Sequence, residues 1–482
     1  MSDGPYRIFY LIAVGGTAMT PLASLLVEKG ETVLGSDLLP LYPPMSDRIA
    51  SLGIEVRAGF DARNLPERVD RVVVGNLAGK DNPELVEAMR RSLPTASMPR
   101  TLHDEFLVGR HPVVVAGTHG KTTTTAMTAW ILHSAGREPG WLVGGEPAGL
   151  PGPSGLGAGP AFVVEGDEYS TSWEDKGPKF LHYAPRTFLL TSVEFDHADL
   201  YADLAAVKEA FRQGVALVPR DGLVVACGED GNVREVAASA KAPVLFYGIE
   251  GAGTGAGTAA GPCGLLARDL VLGEDGARFI VEENGRPLLS AATRLAGRHN
   301  VLNALAAVGA SRAQGLSGEE IAAGLASFGG VKRRMEERGT AAGVLVVDDF
   351  GHHPTAVRTT LDGARRRYPG RRIWAVLEPR SITAGRADLF EAWQFALEGA
   401  GGIAVARPFH AERLSRPGGP GALDTAALAA ALDRPGRPAL TASGPDPLRA
   451  ALLPLLAPGD VVVVMSSGGF GGFCGALLDS LR

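Results

Sequence analysis

Pro112–Trp130 reads PVVVAGTHGKTTTTAMTAW, and this stretch decides the fold. An apolar run from Val113 to Ala116 stops at Gly117-Thr118-His119-Gly120-Lys121-Thr122-Thr123 and gives way to a helix start. Strand, glycine loop and helix together make a phosphate cradle, in which backbone N–H groups and the positive end of a helix face an anion. Lys121 adds a point charge for β- and γ-phosphates, and the hydroxyl of Thr122 or Thr123 suits Mg²⁺. The spacing departs from the standard phosphate loop, because the glycine expected five residues before Gly120 falls on Val115. A bare strand–turn–helix joint accounts for one or two glycines, but not for Gly-Lys-Thr-Thr after an apolar strand. The stretch implies ATP as ligand, with Mg²⁺, on a parallel α/β sheet.

Around that centre the chain is long. Its 482 residues suggest roughly three domains. A net charge of −6 argues against nucleic acid or an anionic membrane as partner. Cys227, Cys263 and Cys474 are far apart, which fits a reducing compartment and neither a disulfide framework nor a zinc site. Ile8–Val14 and Val461–Val464 are too short to span a bilayer, and the first runs into Gly15-Gly16 as a strand, not a signal peptide. A cytoplasmic protein is expected, working as a monomer or weak dimer on small molecules.

Residues 1–109 read as a first α/β unit. The strand Ile8–Val14 leads into Gly15, Gly16, Thr17, Ala18 and Met19, then a helix over Pro21–Lys29 and a strand from Thr32 ending at Ser36 and Asp37. This is the layout of a dinucleotide fold without its Gly-x-Gly-x-x-Gly pattern. A redox dinucleotide, a diphosphate-bearing substrate and a ligand-free joint all remain open. The prolines in Leu41–Ser46 (LYPPMS) make a rigid loop beside it, and Asn76 stands at the end of the strand Arg71–Gly75.

Residues 110–330 form the central unit. Two strands end in acidic clusters, Glu165-Gly166-Asp167-Glu168 and Glu194-Phe195-Asp196-His197-Ala198-Asp199. Carboxylates at strand ends beside a phosphate loop suit Mg²⁺, with one imidazole tolerated. The Gly- and Pro-rich stretch 144–160 reads as a surface loop, and 248–264 as a low-complexity insertion. In LAGRHNVLNALAA, His299, Asn300 and Asn303 share a face at a helix start, where they suit a base edge, or Asn300 serves as a cap. Residues 331–482 form the third unit. Its strands lead into DDFGHHP, EPRS and SSGGFGG, the polar edge of one parallel sheet, while 401–445 carries no motif. Arg333-Arg334 before it is either a phosphate clamp or a solvated pair.

GTHGKTTTT, EGDE, DHAD, GRHNVLNALAA and DDFGHHP, in that order, resemble the Mur ligase family of ATP-dependent amide-forming enzymes over essentially the whole chain. The resemblance implies three α/β domains: a Rossmann-like UDP-sugar-binding domain, a central P-loop ATPase-type domain and a Rossmann-like amino-substrate domain. It implies that a UDP-N-acetylmuramate carboxylate is phosphorylated by ATP and the acyl phosphate then captured by an amine. Gly15, Gly16, Thr17, Ala18 and Met19 would hold the UDP diphosphate, with Ser36, Asp37 and Asn76 nearby. Gly117, Thr118, His119, Gly120, Lys121, Thr122 and Thr123 would hold the ATP phosphates. Thr122, Glu165 and His197 would serve magnesium, and His299, Asn300 and Asn303 would border adenine. Arg334 would reach the γ-phosphate and Asp349 the ribose. His352, His353, Arg380, Ser467, Gly468 and Gly469 would face the acceptor. YPPMS, LEPRS and MSSGGFGG resemble the members that take a murein tripeptide, L-Ala-γ-D-Glu-meso-diaminopimelate, with free L-alanine as the alternative. Several relatives carry a carbamylated lysine near magnesium. Lys208 is the candidate by position here, and no motif anchors it.

Overall fold

The computed structural model describes residues 6–41, 45–76, 78–251 and 264–482. Most of the proline loop's core (Tyr42 to Pro44) and of the low-complexity insertion lies outside them. The described chain builds three sheets.

In the first, five parallel strands lie in the order Glu55–Ala58, Thr32–Asp37, Ile8–Ile12, Arg71–Val74, Thr95–Ser97. The order reverses at Ile8–Ile12, and an open parallel sheet binds ligands at such a switch point, beyond its strand ends. Gly15 and Gly16 stand there, followed by the helix Met19–Glu28.

The second sheet has ten strands. His111–Ala116 lies between Ala161–Gly166 and Thr187–Leu190, all parallel, so the loop that follows it faces the ends of both acidic strands. These strands are buried on both faces, which is why they read as unbroken apolar runs. The sequence reading did not anticipate the antiparallel extension Leu265–Gly273, Gly276–Glu283 and Arg286–Thr293. Nor is 144–160 all surface. Ser154–Gly155 is a buried strand, and its Ser154 hydroxyl donates to the Pro21 carbonyl (3.0 Å) of the first unit.

The third sheet has six strands, with Val344–Asp349, Val461–Met465 and Ile373–Leu377 adjacent and parallel. The motif-free 401–445 supplies Gly402–Ala406 and Ala439–Ala442 on one side, and Glu336–Ala341 closes the other edge antiparallel. One apolar core runs through both the first and second sheets, from Phe9 to Val331, whereas the third sheet buries its two faces in cores of its own. Among the described residues no helix is long and apolar enough to cross a membrane.

Candidate active site

The glycine loop is shaped by two left-handed residues, Gly117 (φ +133°) and Gly120 (φ +82°). A Cβ on Gly117 would stand 2.2 Å from Thr191 Oγ1, and one on Gly120 2.5 Å from Asn303 Oδ1. Only glycine meets both demands, of conformation and of space. Gly120 caps the helix Lys121–Ser134, whose N-terminal amides open toward the loop.

Lys121 is the charge at that opening. Its ammonium donates to the Gly117 carbonyl (2.8 Å) and to both oxygens of Glu168 (2.7 and 3.1 Å). Burial works to lower its pKa, but Glu168 and then Asp167 outweigh this and hold it above the ordinary lysine value. Thr122 Oγ1 donates to Glu165 Oε1 (2.9 Å), and the Gly144 amide donates to Glu165 Oε2 (2.7 Å). Burial, then the neighbouring Asp167, raise the Glu165 pKa. A hydroxyl beside a buried carboxylate is a hard-oxygen pair that fits Mg²⁺.

His197 does not join that pair. It sits in the left-handed region (φ +53°) with Nε2 3.2 Å from Glu168 Oε1. Its burial opposes protonation, but Glu168 and Asp196 raise its pKa above the ordinary histidine value. Glu168 therefore links Lys121 to His197, a role the sequence reading missed although it had noticed the EGDE cluster. Burial works to raise the Glu168 pKa, yet Lys121 and His197 hold it below the ordinary glutamate value.

The third sheet reaches into this centre at several points. Arg334 Nη2 donates to Thr122 Oγ1 (3.3 Å), and its guanidinium lies over Phe350. Arg333, in the left-handed region, instead donates to the carbonyls of Ser466 (2.8 Å) and Gly468 (2.7 Å), holding the glycine-rich loop. Successive arginines thus go to different places, Arg333 to the glycine-rich loop and Arg334 to Thr122. Thr355 donates to Glu194 (2.7 Å), and Thr383 accepts from the Ala198 amide (2.9 Å). The rings of His119 and His353 lie 5.1 Å apart. His352 turns its Nδ1 to the Phe350 carbonyl (3.0 Å), and burial lowers its pKa. Arg380 lies over Phe409, with Glu378 beside it at 3.4 Å, and a Cβ on Gly468 would strike its side chain.

Most of the other polar residues picked from sequence are engaged within the protein, His299 being the exception. Ser36 is fully buried and donates to Glu84, which also accepts from Tyr10 (3.1 Å) and Asn64 (2.7 Å). Asp37 accepts the Gly15 amide (2.7 Å) and so shapes the turn. Asn76 donates to the Ser170 carbonyl (2.7 Å) of the central unit. Asp349 accepts from the amides of Met335 (2.9 Å) and Gly351 (2.8 Å) and from the Thr360 hydroxyl (3.1 Å). Asn300 donates back to the Ala296 carbonyl (2.8 Å) just ahead of the helix Arg298–Ala313 and is not its cap, which is Gly297. Asn303 lies under the glycine loop, accepting from Thr124 (3.2 Å). His299 is half-buried with its enclosed Nδ1 unpartnered, and desolvation lowers its pKa to about 4. Lys208 pairs with Glu235 (2.6 Å).

Three family profiles match in succession: "Mur ligase family, catalytic domain" over residues 9–106, "Mur ligase middle domain" over 115–311 and "Mur ligase, glutamate ligase domain" over 333–468. The UDP-N-acetylmuramate–L-alanyl-γ-D-glutamyl-meso-2,6-diaminoheptandioate ligase of Escherichia coli K12 is 36% identical, covering 98% of both chains. A UDP-N-acetylmuramate–L-alanine ligase of Rubrobacter xylanophilus is 37% identical over 88% of this chain and 90% of its own. The solved murein peptide ligase of Psychrobacter arcticus is 31% identical, covers 98% of both chains and superposes with a TM-score of 0.72. With three consecutive domains matched and full-length relatives above 30% identity, the chain belongs to the Mur ligase family.

Proposed function

We propose that this chain is an ATP-dependent, ADP-forming ligase of peptidoglycan recycling. It joins the lactyl carboxylate of UDP-N-acetylmuramate to the amino group of L-Ala-γ-D-Glu-meso-diaminopimelate. The observation that carries the ATP chemistry is Arg334 reaching Thr122 from another sheet, which brings a second cation to the loop that already holds Lys121. In this reading the amides at the start of Lys121–Ser134 bind the β- and γ-phosphates. Lys121 exchanges Glu168 for phosphate oxygens, and Arg334 neutralises charge that grows as the γ-phosphoryl group moves to the carboxylate. Thr122 and Glu165 would hold Mg²⁺, which when bound supplies charge neutralisation between phosphates. The acceptor amine then displaces phosphate from the acyl phosphate, and holding both reactants in line is the larger part of the catalysis.

Full-length similarity to the E. coli enzyme supports the tripeptide as acceptor. So does a cavity of about 220 Å³ beside the EPRS turn, lined by Glu378, Arg407, Phe409, Glu412 and Ser443 among others, which offers charged partners beyond those free alanine needs. The Rubrobacter relative makes L-alanine the second reading. The test is phosphate release with ATP, Mg²⁺ and UDP-N-acetylmuramate, comparing the two acceptors. Stimulation by tripeptide and not by L-alanine is expected. The reverse would transfer the assignment to the alanine ligase.

A further inference from the structure

We propose that His119, Glu194 and His353 form a second cation site, of the Zn²⁺ type, that pins the third sheet to the phosphate loop. The three come from separate elements: His119 from the loop itself, Glu194 from the turn after Thr187–Leu190, and His353 from the cap of the helix Pro354–Arg367. One ligand atom from each lies within 4.8 Å of the other two. His119 Nε2 is 3.4 Å from Glu194 Oε2, and His353 Nδ1 is 3.7 Å from the same oxygen and exchanges its long bond from the Thr355 amide (3.4 Å) for the ion. Ligands about 2.0–2.1 Å from a tetrahedral ion stand about 3.4 Å from one another, so small side-chain movements close the site.

Two further observations point to an ion. His119 Nε2 is buried and has no hydrogen-bond partner, since its approach to Glu194 lacks hydrogen-bond geometry. The Glu194 oxygen facing both rings accepts from Thr355 Oγ1 (2.7 Å), an outer hydrogen bond of the kind that orients a ligating carboxylate. Two imidazoles and one carboxylate with a fourth position open select Zn²⁺ or Co²⁺ over Mg²⁺, which demands oxygen. This separates the site from the oxygen pair of Thr122 and Glu165. Because His353 moves with the third sheet, an ion here would hold the two units together.

The test uses the full chain with Co²⁺ alone as a visible-light substitute for Zn²⁺, without nucleotide or substrates. It is therefore independent of the ligase reading. The expected result is the ligand-field absorption of a four-coordinate ion, saturating at one per chain, displaced by Zn²⁺ and surviving millimolar Mg²⁺. Glu194→Gln and His353→Asn should each abolish the band. Thr355→Ala removes only the outer hydroxyl and should weaken binding by about tenfold; it decides the matter if either ligand variant fails to fold by circular dichroism. Absence of the band in the unaltered chain, its displacement by Mg²⁺, its persistence in both folded ligand variants, or an unchanged affinity in Thr355→Ala would overturn the proposal.

Discussion

Arg334 Nη2 donates to Thr122 Oγ1 at 3.3 Å, joining residues 212 positions apart in the chain and on different sheets. In the proposed reaction this guanidinium, brought by one unit to the glycine loop of another, acts only when the two are closed. Arg334→Ala is expected to lower kcat by about 10²–10³, the range for loss of one preorganised charge donor, and Arg334→Lys to restore part of it. Steady-state kinetics with UDP-sugar affinity measured in parallel checks this. A loss in sugar affinity instead of kcat would contradict it.

Lys121→Ala removes the ammonium that meets Gly117 and Glu168. Phosphate transfer to the sugar carboxylate should become undetectable, while calorimetric binding of UDP-N-acetylmuramate stays within a few-fold, because that ligand is assigned to the first sheet. Joint loss of both would refute the division of labour.

Glu168→Gln keeps the shape but takes the anion away from Lys121 (2.7 Å) and His197 (3.2 Å). Burial is the largest influence on His197 and lowers its pKa, so without Glu168 the value should drop from above the ordinary histidine range to below it. An NMR titration of the His197 ring reads the shift directly, and an unmoved midpoint would show that Glu168 does not hold it.

Acid should destabilise the fold through two histidines. Burial lowers the pKa of His299 and of His353 to about 4, so both are neutral when folded and become protonated near pH 6.5 when unfolded. Their contribution is complete above that pH and is lost as pH falls toward 4. His197, with its raised pKa, contributes in the opposite sense, its part being full below pH 6.5 and lost at higher pH. The two lowered histidines together are expected to cost on the order of 4 kcal/mol between pH 7 and pH 5, with His197 offsetting part of it, and urea unfolding at each pH reads the net slope. His299→Gln should flatten the slope.

Ser36→Ala tests a residue whose position suggests a ligand and whose bond is internal. The change leaves Glu84 without one of its buried donors and should cost about 1–3 kcal/mol in stability. The affinity for UDP-N-acetylmuramate should hardly change. A large affinity loss with normal stability would restore Ser36 to the sugar site.

The strands of the parallel sheets were legible because burial on both faces leaves continuous apolar runs, as in Val113 to Ala116 and Val461–Met465. The glycine loop was legible because the left-handed turns at Gly117 and Gly120 leave glycine almost no substitute. Strands 265–293 escaped notice because exposed and buried residues alternate along an edge extension, a weaker signal than an apolar run. Pairings escaped for a different reason. Which acid of EGDE meets Lys121, and whether Ser36 faces solvent or Glu84, depends on neighbours far along the chain, and no local pattern encodes them. Arg333 and Arg334 show the same limit, with one held by loop carbonyls and the other delivered to Thr122.

The first and second sheets share one apolar interior, whereas the third buries both its faces separately and touches the centre through polar groups. On the proposed assignment of the sugar to the first sheet and ATP to the second, a change in one half repacks the other, and the two functions are inherited as a single block. The third unit, proposed to hold the acceptor, is free of that constraint. Exchanging it for one that keeps the contacts of Arg334, His353, Thr355 and Thr383 is expected to redirect which amine is joined while leaving activation of the carboxylate as it is.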